Sequence, residues 1–118
     1  MNELIKAIDL LAKTEKSRAQ AIWGNHHSRH EAFAVLREEY DEMSDEEDRV
    51  IVNMDAIWSG IKKNATKEEL ADPINSLIIN ALSIAAEAVQ VAATAYRLKD
   101  FEEAGGFVGD WEKENKFF

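Results

Sequence analysis

The 118-residue chain reads as all-α, and three observations predict it. It has one proline and five glycines, and three of those glycines fall in the last fourteen residues, so the first hundred carry almost no helix breakers. Serine or threonine followed three residues later by glutamate recurs three times, at Ser28, Ser44 and Thr66, which is the form of a capping box. No run of alternating β-branched residues marks a strand. The length suits one compact domain, and the expected architecture is an assembly of long antiparallel helices resembling a four-helix bundle.

The first helix is expected from about Glu3 to Trp23. Leu4, Ile8, Leu11, Ala12, Ala19 and Ile22 fall near one face, with most charges elsewhere. Gly24-Asn25 ends it, and His26-His27 reads as plain loop. Ser28 with Glu31 then caps a second helix, whose apolar face is expected to be Phe33, Leu36, Tyr40 and Met43. Glu31, Glu38, Glu42 and Glu46 cluster on roughly the opposite face, and Glu39 lies between the two. From Glu38 to Asp48, eight of eleven residues are acidic, a crowding that costs self-repulsion unless positive charge is near.

The Ser44 box allows the second helix to bend, restart or run straight through. Val50, Met54, Ile57 and Ile61 carry it on to Lys62, and Lys62, Lys63 and Asn64 suit a helix end. Thr66 to Ala71 is expected to be a turn or two, with Asp72-Pro73 starting the last helix, which runs to about Lys99. From Ile74 to Tyr96 the only charge is Glu87. Such a helix is expected in a core or a membrane. Its length would span a bilayer, but Glu87 mid-span with Asn80 and Ser83 before it argues against that. Asn80, Ser83, Glu87, Gln90, Thr94 and Arg97 advance by three or four and form one polar stripe, which needs partners. Residues 1–100 make the expected domain. Residues 101–118, with Phe101, Phe107, Trp111, Phe117 and Phe118, make a tail expected to dock on the body or on a neighbouring subunit.

The net charge of −9 disfavours nucleic-acid binding. The absence of cysteine excludes disulfides, thiolate metal sites and thiol nucleophiles. The start lacks the basic-then-apolar order of a signal peptide, so the cytoplasm is the simplest location.

Two segments carry candidate chemistry. Glu39 and Glu42 are three apart on the second helix, and Glu87 and Gln90 repeat that spacing on the last. Their oxygens, brought together in a bundle, form a hard-ligand set suited to magnesium or manganese. Alone, Glu38 to Glu42 would be a solvated acidic face, and Glu87 a buried acid paired with Arg97 or a lysine. Their joint presence with the polar stripe favours the metal reading.

At this point a resemblance enters. Glu38-Glu39-x-x-Glu42, preceded by His30-Glu31 and answered by Glu87-Ala88-Val89-Gln90-Val91-Ala92-Ala93, resembles the Glu-Glu-x-x-Glu and Glu-x-x-Asp motifs of the MazG-like all-α nucleoside triphosphate pyrophosphohydrolases. The wording is similar to a small branch common in phage and prophage genomes. The likeness covers about residues 28–97. It implies a homodimer or homotetramer that binds Mg2+ or Mn2+ and hydrolyses a nucleoside triphosphate to monophosphate and pyrophosphate. It implies Glu39, Glu42 and Glu87 as metal ligands and catalytic residues, with Glu38 orienting water or a further ion. Gln90 stands where the family has aspartate; its carbonyl can still coordinate, but a negative ligand is lost. Glu69-Leu70-Ala71-Asp72 is a rival second motif, ranked lower because Pro73 disfavours helical geometry at Asp72. Arg97, Lys62 or Lys63 could hold phosphates. His30 is a candidate acid or base, though a first-turn histidine is more often a structural contact.

Overall fold

The computed structural model describes residues 2–105, in three α-helices: α1 (Asn2–Trp23), α2 (Arg29–Lys62) and α3 (Lys67–Glu103). Among the described residues there is no strand, so the all-α class holds. Phe107, Trp111, Phe117 and Phe118 lie outside the described residues.

The termini follow the local signals. Gly24 takes a positive φ of 76° and its N–H bonds the Gln20 carbonyl at 2.8 Å, closing α1. The Ser28 hydroxyl accepts the Glu31 N–H at 3.1 Å and opens α2. Asn64, with φ of 54°, ends α2. Thr66 then accepts the Glu69 N–H at 3.1 Å, while the Glu69 carboxylate takes the Thr66 hydroxyl at 3.0 Å. This box starts α3 six residues before the expected proline start. Pro73 lies inside the helix, where only its own missing N–H is forfeited, near an end already short of partners. The Ser44 box leaves α2 unbroken.

Two compact units divide the chain: residues up to Tyr40 with those from Val89 onward, and residues Asp41–Ala88. The first unit combines α1 with parts of α2 and α3. It holds all the buried residues: Ala12, His26, Ala32, Ala93, Thr94 and Phe101. Phe101, expected in the tail, belongs to α3 and to this core. The second unit is a two-helix hairpin with no buried residue.

The inward faces differ from those expected. On α1, Ala12 is buried, with Asp9, Glu15, Lys16, Ala19 and Gln20 half-buried, whereas Leu4, Leu11 and Ile22 are more than half exposed. The reason is polar pairing with α3. Tyr96 donates to Asp9, and Lys16 and Gln20 both reach Asp100, at 3.0 and 3.2 Å. On α2, Phe33 and Tyr40 are exposed, and the inward residues recur with heptad spacing. One position of each heptad is apolar: Leu36, Met43, Val50 and Ile57. The other is small or polar: Ala32, Glu39, Glu46, Asn53 and Gly60. α3 repeats the scheme, with Leu70, Leu77, Ile84, Val91 and Leu98 alternating with Pro73, Asn80, Glu87, Thr94 and Phe101. Small residues let the backbones approach. A Cβ placed on Gly60 would sit 2.7 Å from the Leu70 side chain.

Candidate metal centre

Within the hairpin the polar heptad positions pair with one another. Asn53 donates its amide to the Asn80 carbonyl at 2.6 Å, and the Asn80 amide donates to Glu46 at 3.2 Å. Glu46 also holds Arg49 one turn along α2. One turn back on α2 is Glu42; two turns on along α3 is Glu87. These two carboxylates meet, and the contact has a clear electrostatic signature. Burial pushes the Glu87 carboxyl above the usual carboxylate range. A hydrogen bond to Glu42 and the negative charges of Glu42 and Glu46 push it further in the same direction. Its Oε2 is buried with no hydrogen-bond partner.

Glu39, one turn before Glu42 on α2, completes the group. Glu39, Glu42 and Glu87 can each offer a carboxylate oxygen such that all three atoms lie within 4.8 Å of one another. Glu39 and Glu87 are half-buried and Glu42 is exposed. The donor set fits a divalent cation. It consists of hard anionic oxygens, it is short of positive charge, and one of its oxygens is buried and unpaired. Magnesium or manganese matches such oxygens better than a thiophilic metal does.

The remaining expected residues are distributed differently. Glu38 is on the exposed side of α2, beside the group rather than in it. Gln90 turns to α1, where its side-chain amide hydrogen-bonds the Glu15 carboxylate. That carboxylate is held below the usual range mainly by Arg18, with Gln90 adding to the effect. Arg97 donates to the Gly24 carbonyl at 3.2 Å, tying α3 to the end of α1 instead of pairing with Glu87. Glu69 is occupied by its capping box with Thr66, which removes the rival motif's first ligand. Lys62 and Lys63 lie exposed at the end of α2 by the hairpin turn, and His30 is exposed in the first turn of α2.

The polar stripe on α3 is therefore real, and its members are answered by Asn53, Glu46, Glu42, Glu15 and the Gly24 carbonyl in turn. One residue has a role that its place in the sequence conceals. His26, read as plain loop, is 4% exposed, and neither ring nitrogen has a hydrogen-bond partner. Its surroundings hold it below the ordinary histidine range, first through burial and then through the charge of Arg97. No local pattern marks such a residue, because its burial depends on α3 closing over the loop.

No family model, curated protein or solved structure matches the chain.

Proposed function

We propose that the chain is a magnesium-dependent nucleoside triphosphate pyrophosphohydrolase of MazG-like, four-helix-bundle architecture. It would act in the cytoplasm as a homodimer or homotetramer. The observation that supports this most is the meeting of Glu39, Glu42 and Glu87, from two separate motifs, within 4.8 Å. These three carboxylates would hold Mg2+ or Mn2+, which when bound supplies charge neutralisation at the phosphates and a more acidic water. Glu38, exposed beside the group, is free to face incoming water. In the reaction water adds across the α–β phosphoanhydride. Its oxygen joins phosphorus, the bridging bond breaks, and monophosphate and pyrophosphate separate. The water's proton needs an acceptor, and Glu87, with its raised affinity for protons, is the best placed of the three carboxylates to take it.

A second reading has its own support. The Gln90 amide is engaged with Glu15, so the chain has no fourth acidic ligand there. A non-catalytic descendant, binding nucleotide or protein, would look like this. Purified protein incubated with each standard and deoxy triphosphate plus magnesium or manganese separates the two. Pyrophosphate release that disappears in Glu42→Gln supports the enzyme. Nucleotide- and metal-dependent thermal shifts without release from any substrate sink the enzyme and favour the second reading.

A further inference from the structure

The hairpin Asp41–Ala88 has no buried residue, yet it carries Ile51, Met54, Trp58 and Ile61 on α2 and Ile74, Ile78 and Leu82 on α3. Each is at least 41% exposed. The first four follow one another by three or four residues and flank the α2 seam. Ile74 and Ile78 occupy the corresponding flank of α3, with Leu82 beside it. In an antiparallel pair these corresponding flanks share a face, so the hairpin has one apolar side. Its exposed area is roughly 700 Å2, beyond the largest patch of a typical monomer and close to one partner's share of a standard interface.

Charge selects what covers it. The open end of the hairpin carries Asp41, Glu42, Asp45, Glu46, Glu47, Asp48 and Glu87 against Arg49 alone. The tip carries Lys62, Lys63 and Lys67, partly offset by Glu68 and Glu69. Two copies joined with their tips together would stack acid on acid at the other end. Two copies joined tip to open end would set lysines level with the carboxylates. The hairpin is about 33 Å long from Asp41 to Lys62, so full overlap brings the partner's Lys62 level with Asp41 and the partner's Lys67 level with Glu87.

We propose that the hairpin's apolar face packs on the same face of a second copy in antiparallel sense, α2 on α2, forming a four-helix bundle that brings the partner's tip lysines to the acidic end. This deepens the oligomeric part of the proposed function and is independent of whether hydrolysis occurs. The partner's lysines would then supply the positive charge that the carboxylate group lacks within its own hairpin. Trp58, exposed in the single chain, would be covered.

The chain has no cysteine, which makes single-cysteine variants clean probes. In full overlap Ile51 lies against its own copy and Trp58 lies near Ser44 of the other. Ile51→Cys is expected to oxidise to a covalent dimer, and a mixture of Trp58→Cys and Ser44→Cys to cross-link where neither does alone. Light-scattering mass of the unmodified protein is expected to be that of a dimer or tetramer. The surface variant Trp58→Glu/Ile78→Glu is expected to weaken the association at least tenfold while keeping its helical circular dichroism. Lys62→Glu/Lys63→Glu is expected to weaken it less. A monomeric mass at every concentration overturns both this inference and the oligomeric reading. An oligomer in which Ile51→Cys links only to Leu82→Cys has its tips aligned, and overturns the antiparallel arrangement alone.

Discussion

The two units make opposite use of similar helices. Where α1 lies beside α2 and α3, three helices enclose Ala12, Ala32, Ala93 and Phe101, and even bury His26 and Thr94. In the hairpin the same two helices, with the same heptad pattern, bury nothing. The difference is geometrical. Two cylinders touch along a line, and side chains at that seam are shielded from one direction only. A third helix closes the groove. The apolar content of the hairpin is no lower, so the residues it exposes are an unmet demand for further helices.

The strongest way to break this contrast is at Phe101. Phe101→Ala is expected to cost about 3 kcal/mol in urea unfolding by opening a cavity among α1, α2 and α3. The same change at exposed Trp58 is expected to have little effect on the chain at dilution and a larger one as concentration rises. Equal, concentration-independent losses at both positions would erase the distinction between the units. Removing the caps is a smaller perturbation. Ser28→Ala and Thr66→Ala should each lower stability by about 1 kcal/mol, read from urea midpoints.

Acid sharpens the contrast from the three-helix side. His26 has a lowered affinity for protons in the folded chain, so the unfolded chain binds more protons around its ordinary value of 6.5. Stability contributed by neutral His26 is therefore complete above 6.5 and is lost as the pH falls below it. Glu31, Arg97 and His27 bear on the same ring, so His26→Asn is the control. The urea midpoint of the parent should fall between pH 6.5 and 5 relative to that of the variant. Two parallel profiles would show that the histidine is not sensed.

The smallest effect is expected at Glu87. Its folded affinity for protons is raised, so its contribution is present below its ordinary 4.5 and is lost as the pH climbs through the raised value. At neutral pH without divalent cations, Glu87→Gln should raise the melting temperature slightly. It should also abolish any upward shift produced by magnesium or manganese. A cation shift that survives in Glu87→Gln would remove this carboxylate from the metal set.

Much of this arrangement could be read from the residues. Ser28, Thr66, Gly24 and Asn64 are short-range signals, and each stands where its chemistry acts. The carboxylate trio was legible because Glu87 interrupts 23 residues without another charge, and such an interruption demands a partner. The inward faces were not legible. Hydrophobic periodicity assumes that the largest apolar residues turn inward, and here alanine does so on α1 while Leu4, Leu11 and Ile22 stay outside. Close helix approach and polar pairing with Asp100 and Tyr96 outweighed side-chain size. Pro73 misled for a related reason: near a helix start the missing N–H costs little, so the Thr66 cap governed. Gln90 was assigned to the metal set by its spacing from Glu87. Helix spacing says nothing of a third helix, and Glu15 of α1 takes its amide.

The Asn53–Asn80–Glu46 chain has a consequence for the carboxylates beyond its own hydrogen bonds. It works as a ratchet stop. Apolar seam residues would tolerate sliding by a full heptad, because leucine against valine differs little from leucine against isoleucine. An asparagine facing an asparagine is satisfied at one setting only. Sliding α2 along α3 by a heptad would strand both amides, and would also carry Glu42 about 10 Å from Glu87. The geometry of the charged group is thus inherited from an uncharged pair, and a substitution such as Asn80→Leu would detune the carboxylates without altering any of them.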